Sequence, residues 1–254
     1  MLPSLKKPTL FAHRGASAFA PENTLAAFEL AIHQHADAIE FDVKLTADNQ
    51  VIVIHDATVD RTTNGKGLVS KFDLRTIKSL DAGQHFDDAF SGEKIPTLNE
   101  VMEQIAGRIF LNIEITNYAT PTDDLPRQIA NIIRDNFYND QILFSSFNPI
   151  TLLKIRNLLP DFPLGYLTTT GFLGRISRLI FGNIIPYHAI HPEVKDTDRK
   201  LIKKYHLSGC RVHTYTVNDY QTMVNLFQWN VDGIFTDNIP LAQKARSFVK
   251  EEKS

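Results

Sequence analysis

Two strand-like stretches place carboxylates on one face and aliphatic side chains on the other. In Ala38-Ile39-Glu40-Phe41-Asp42-Val43, Glu40 and Asp42 share a face, while Ile39, Phe41 and Val43 share the opposite one. In Leu111-Asn112-Ile113-Glu114-Ile115 the same alternation sets Asn112 and Glu114 against three aliphatics. Acids facing the inside of a fold are costly unless something positive lies between them. Two readings of Glu40, Asp42 and Glu114 follow: a site for a divalent cation, or a structural network with Arg and Lys. An oxygen-only donor set suits a hard cation, Mg2+ or Ca2+.

His13-Arg14-Gly15 and His55-Asp56 each end an apolar run. An unperturbed imidazole titrates near neutral pH, so two histidines flanking one site suit general acid–base chemistry. Arg14 suits bidentate binding of a phosphate. Gly15 is expected to let backbone approach a ligand closely. Pro21-Glu22-Asn23-Thr24 reads as a helix start with Asn23 or Thr24 as N-cap.

These groups need a scaffold that brings strand ends together. Apolar runs fall at residues 9–12, 38–43, 51–54, 109–115, 142–147, 164–167, 188–191, 211–217 and 233–236. Helical patterns lie between most of them, at 24–35, 98–106, 126–136, 150–159, 196–205 and 220–229. Thr97 and Glu100 form a capping-box pattern. Such alternation predicts a parallel sheet with crossover helices. Only residues 44–50 separate the second run from the third, too few for a parallel crossover. The third run is therefore expected to fold back as a hairpin through Ala47-Asp48-Asn49, returning His55 beside Asp42. Eight parallel strands remain, which predicts an α/β fold, a (β/α)8 TIM-type barrel with a small insertion after the second strand and its hairpin. An open doubly wound sheet is the alternative, but no G-x-G-x-x-G sequence supports it. Residues 57–95 fit no barrel unit and read as the insertion, within one domain spanning 1–254.

The bulk numbers agree. The chain has 254 residues, 43% hydrophobic and 22% charged, which excludes a disordered protein. A barrel of about 250 residues is ordinary. One cysteine, Cys210, excludes an internal disulfide and a Cys-rich zinc module. A net charge of -2 gives no electrostatic case for nucleic acid. No secretory leader and no membrane-length apolar run is found, so a cytoplasmic location is expected.

Taken in order, His13-Arg14-Gly15, Pro21-Glu22-Asn23-Thr24, Glu40-x-Asp42, His55-Asp56, Ile95-Pro96-Thr97-Leu98 and Asn112-Ile113-Glu114 resemble the glycerophosphodiester phosphodiesterase family. Thr216-Val217-Asn218 and Gly233-Ile234-Phe235-Thr236-Asp237 are similar to its later signatures. Each piece is weak; the ordered set, from His13 to about Pro240, is specific. The resemblance implies hydrolysis of glycerophosphodiesters, such as glycerophosphocholine or glycerophosphoethanolamine, to glycerol 3-phosphate and an alcohol. It implies a divalent cation, Mg2+ or Ca2+, held by Glu40, Asp42 and Glu114. It implies His13 and His55 as the acid–base pair, with His13 favoured as base, and Arg14 on the phosphate.

Two departures stand out. Thr116 occupies a position where many relatives carry Lys, and Tyr215 one where many carry Trp. Lys44 or Arg211 could supply the missing cation by strand position. Three further expectations complete the reading. A lysophospholipase D-like or sphingomyelinase D-like enzyme, or a binding module without catalysis, would use the same fold. Residues 171–181 read as a crossover helix, with a mobile lid or weak membrane contact as the sharper version. His191, in His191-Pro192-Glu193, and Tyr215 are candidate pocket residues, and His213 faces the barrel interior in one strand register.

Overall fold

Nine strands and nine α-helices alternate along the described residues of the computed structural model, which are 2, 5–118, 120–134, 141–181 and 184–252. The strands are β1 (Thr9–His13), β2 (Ala38–Leu45), β3 (Val51–Val53), β4 (Phe110–Ile115), β5 (Ile142–Ser146), β6 (Leu164–Thr168), β7 (Ala189–Pro192), β8 (Arg211–Thr214) and β9 (Gly233–Thr236). The helices are α1 (Leu25–His33), α2 (Leu74–Ser79), α3 (Leu98–Gln104), α4 (Leu125–Arg134), α5 (Pro149–Leu158), α6 (Gly171–Phe181), α7 (Arg199–Leu207), α8 (Tyr220–Gln228) and α9 (Ile239–Glu252).

All strands but β3 run parallel, and the β1–β2 pairing closes them into a ring. Closure excludes the open doubly wound sheet and gives a TIM-type (β/α)8 barrel. β3 instead pairs antiparallel with the end of β2, Val43 opposite Val53 and Leu45 opposite Val51. Asn49 turns the hairpin in the left-handed region, at φ 58°, a conformation Asn tolerates better than most residues.

Strand phase divides the interior from the helix layer. Ile39, Phe41 and Val43 belong to the main apolar core with Phe28 of α1. The other face points inward. Phe11, Ala38, Phe110, Leu143 and Ala189 form a separate apolar cluster with Leu2. Further along the strands the interior becomes polar: Glu40 lies opposite Asn112 and Asp42 opposite Glu114. The acids therefore sit toward the C-terminal strand ends, where barrel enzymes carry their chemistry.

Residues 57–95 carry α2 and two short 3-10 turns. Their apolar side chains, Val59, Val69, Ile77 and Ala82, gather on Ile52 and Ile54 of the hairpin, apart from the main core.

Several boundaries differ from the sequence pattern. The expected start of α7 at 196 is moved because Val194–Asp196 is a 3-10 turn and Asp198 is the N-cap. The run expected to continue to 217 ends as a strand at Thr214, with one further parallel bridge from Tyr215 to Glu193 before the loop through Asn218. The last two residues of the helix expected over 126–136 lie outside the described residues. α9 was not anticipated. No helix among the described residues is long and apolar enough to cross a membrane.

Candidate active site

Glu40, Asp42 and Glu114 each bring a carboxylate oxygen to within 4.8 Å of the other two. Glu40 and Asp42 are almost fully buried. Burial pushes the Glu40 carboxyl well above its usual range, and the charges of Asp42 and Glu114 add to it. Glu114 is pushed up to about 8, by burial first and then by Asp42. One oxygen on each acid is held by a protein donor: the Arg14 amide on Glu40 (3.0 Å), Asn23 Nδ2 on Asp42 (3.0 Å), and the Tyr118 hydroxyl on Glu114. The other oxygen of Glu40, Oε1, is buried without a partner. An orphaned oxygen in an all-carboxylate cluster fits a hard divalent cation, which would remove the repulsion and satisfy that oxygen.

Arg14 holds this cluster to the loop after β1. Its backbone is left-handed, at φ 57°. Its guanidinium donates to Glu22 at 2.9 Å and lies 3.4 Å from Asp42. Glu22 also accepts from Arg61 at 2.6 and 2.8 Å. Burial raises the Glu22 carboxyl, but Arg61 and Arg14 outweigh it and hold it at about 2. Pro21-Glu22-Asn23-Thr24 is thus more than a helix start. Thr24 caps α1, while Glu22 and Asn23 turn toward the site. Gly15, expected to face a ligand, instead lies against α1. A Cβ there would come within 2.7–2.9 Å of Ala27, and at φ 83° the position favours glycine.

Both site histidines are oriented by aspartates. His13 Nδ1 meets Asp237 Oδ1 at 2.7 Å, and His55 Nδ1 meets Asp56 Oδ1 at 2.7 Å. A carboxylate only accepts, so each Nδ1 carries the shared hydrogen and each Nε2 is the acceptor nitrogen of the neutral ring. Burial works against ionisation of Asp237, but His13, Asn218 and Ser17 hold it below its usual range. Arg61 does the same for Asp56, with burial opposing and His55 assisting. Sequence reasoning missed Asp237 and Arg61 as partners. The Asp56 role had a local signal, its place directly after His55.

The two histidines open into one cavity of about 180 Å3. Arg14, Glu40, Asn112, Glu114 and Thr216 form its remaining polar wall; Phe147, Leu167, Tyr215 and Phe235 form the apolar one. Tyr215 therefore lies on the wall, its hydroxyl donating to the Thr168 carbonyl at 3.0 Å. His191 does not line this cavity. It is fully buried, its ring fills the space left by Gly165, and His213 Nδ1 lies 3.3 Å away. Burial holds His191 down at about 3, so it stays neutral. The Thr116 hydroxyl donates to the Val43 carbonyl at 2.9 Å. Lys44 reaches the same place, donating to the Thr116 carbonyl at 2.6 Å. Arg211 begins β8 and so lies at the other end of the barrel.

A sequence profile of the glycerophosphoryl diester phosphodiesterase family matches residues 13–241. A glycerophosphodiester phosphodiesterase of Caldanaerobacter subterraneus subsp. tengcongensis is 37% identical over 233 residues, 91% of this chain and 95% of that protein. One from Bacillus altitudinis is 34% identical over 245 residues, 95% of this chain and 99% of that protein. Among solved structures, an Oleispira antarctica phosphodiesterase in complex with the product sn-glycerol-3-phosphate superposes with a TM-score of 0.87 at 30% identity, covering 95% of this chain and 97% of that one. The glycerophosphodiester phosphodiesterase of Agrobacterium tumefaciens gives a TM-score of 0.79 at 29% identity, over 93% of this chain and 99% of that one.

Proposed function

This chain belongs to the glycerophosphoryl diester phosphodiesterase family, and from that premise we propose that it hydrolyses water-soluble diesters such as glycerophosphocholine and glycerophosphoethanolamine by two-histidine catalysis. The observation that carries the proposal is one cavity holding His13, His55, Arg14 and two of the three clustered acids.

Glu40, Asp42 and Glu114 would hold Mg2+ or Ca2+, which when bound supplies positive charge against the charge growing on the phosphoryl oxygens. Arg14 binds the phosphate anion. His13 Nε2 takes the proton of a glycerol hydroxyl as that oxygen bonds to phosphorus. The bond from phosphorus to the alcohol breaks, and His55 Nε2 gives the departing alkoxide its proton. The cyclic phosphate then opens to water with the two roles reversed, releasing glycerol 3-phosphate. Asp237 and Asp56 keep each imidazole in the required tautomer and stabilise its charged form.

His13 and Arg14 also line a neighbouring cavity of about 350 Å3 with Ser17, Asn218 and Asp237, a polar lining that favours a deacylated glycerophosphate over an acylated glycerol. The lipid-directed reading draws support from a different place. Phe172, Leu179 and Ile180 of α6 are 76%, 68% and 52% exposed, with Arg175 exposed on the same helix. Weak contact of 171–181 with a lipid surface is proposed on that face. A cytoplasmic place is proposed on Cys210, a lone thiol suited to a reducing compartment. Residues 1–254 are proposed to act as one unit, because Arg61 of the 57–95 insertion ties Glu22 to Asp56.

Turnover of glycerophosphocholine and of lysophosphatidylcholine, each with Mg2+, with Ca2+ and after chelation, tests this. Cation-dependent release of glycerol 3-phosphate from the first is expected. Preference for the lysolipid points to the lipid-directed enzyme. Binding without turnover on any diester points to a non-catalytic module.

A further inference from the structure

The charge balance of the site leaves an anionic substrate short of a partner. Three carboxylates carry −3 against +2 from a divalent cation. Arg14 stands beside them, but its guanidinium is already matched by Glu22 at 2.9 Å and by Asp42 at 3.4 Å. Arg61 is matched by Glu22 at 2.6 Å and Asp56 at 2.8 Å. A phosphodiester brings a further negative charge beside these carboxylates, where both guanidiniums are already paired.

Lys44 is placed to meet it. It follows Asp42 by two residues on β2 and so continues the phase of Glu40 and Asp42 beyond the barrel rim. Its ammonium donates to the Thr116 carbonyl at 2.6 Å and lies 5.9 Å from the centre of the Tyr118 ring. Thr116 follows Glu114 by two residues, and the Tyr118 hydroxyl bonds to Glu114, so this ammonium stands at the Glu114 edge of the site. A carbonyl and a ring face hold it, and the carboxylates of Asp42, Glu114, Asp56 and Asp123 favour its charge from further away. Among the described residues no carboxylate lies within ion-pair distance of it. A flexible four-carbon stem lets the ammonium exchange the carbonyl for a ligand oxygen with the backbone unmoved.

We infer that Lys44 is a substrate-binding residue, whose ammonium leaves the Thr116 carbonyl to bind a phosphoryl oxygen of the diester at the Glu114 edge. This rests on the diesterase reading for its substrate, but its test does not require turnover.

Lys44→Gln keeps a donor for Thr116 and loses the charge; Lys44→Arg keeps the charge. Calorimetric titration of the cation-loaded protein with glycerol 3-phosphate reads the phosphate contact directly. Lys44→Gln is expected to weaken that binding about tenfold, the scale of one hydrogen bond to a charged group. Lys44→Arg is expected to stay within about threefold. Titration with the divalent cation alone is expected to give equal or tighter binding in Lys44→Gln, since a positive charge near the acids is gone. On a diester, KM is expected to rise more than kcat falls. Unchanged glycerol 3-phosphate binding in folded Lys44→Gln would overturn the inference. So would loss of phosphate and cation binding together with a lowered Tm, which marks a structural tether. If Lys44→Gln does not fold, Lys44→Arg decides: intact folding with phosphate binding lost more than tenfold also overturns it. A wild-type protein that binds glycerol 3-phosphate but turns over no diester defeats the functional reading and leaves this test intact.

Discussion

His13 and Asp237 stand 224 residues apart in the chain, yet His13 Nδ1 and Asp237 Oδ1 meet at 2.7 Å across the β1–β9 seam of the barrel. Asn218 holds the other oxygen of Asp237 at 2.5 Å, so the aspartate is fixed before any substrate arrives. Asp237→Asn should preserve the shape and invert the tautomer preference of His13. A fall in kcat of about 10²-fold or more is expected. KM and Tm should change little, and steady-state kinetics beside a melting curve checks this.

Asn23 reaches Asp42 twice, donating from Nδ2 at 3.0 Å and accepting the Asp42 amide at 3.3 Å. It does so from a left-handed backbone, at φ 59°. Asn23→Ala should free the Asp42 carboxylate to rotate. Divalent-cation affinity is expected to fall by about 10- to 100-fold, the range for outer partners of ligating groups. Calorimetric titration with the cation measures it.

Cation removal should make stability depend on pH. Glu114 in the folded chain stands at about 8, raised by burial and by Asp42 from an ordinary 4.5. Between those values the unfolded chain has released this proton and the folded chain still holds it. Stability of the chelated protein should therefore be fully present below about pH 4.5 and fall as pH rises toward 8. The Tm gap between cation-loaded and chelated protein should widen across that window. A gap that stays constant with pH would contradict the buried acid cluster.

Gly165 should tolerate no side chain. A Cβ there would lie 2.4 Å from Cε1 and 2.6 Å from Nε2 of the fully buried His191. Gly165→Ala is expected to cost about 1–3 kcal/mol, lowering Tm by roughly 2–4 °C for each kcal/mol. Differential scanning calorimetry gives the answer.

What was legible in the sequence was whatever leaves a short-range period. Alternation around Glu40, Asp42 and Glu114 puts three acids on the inner face, and the parallel register of β2 and β4 sets Asp42 opposite Glu114 as that phase requires. The short spacing before Val51 showed that β3 had to turn back rather than cross over. Pairings across the ring leave no such trace. Nothing local marks Asp237 as the partner of His13, or Arg61 as the clamp on Glu22 and Asp56, because closure of the barrel and folding of the insertion bring them together. Gly15 and His191 show the same limit. Gly15 follows Arg14 and His191 lies in β7, but packing on Ala27 and under Gly165 takes both away from the cavity.

The most direct test follows glycerol 3-phosphate released from glycerophosphocholine by the cation-loaded wild type, His13→Gln and His55→Gln. Release by the wild type is predicted, with a loss of about 10²- to 10⁴-fold in each variant at unchanged Tm. Wild-type turnover that survives in either folded variant would contradict two-histidine catalysis at this site.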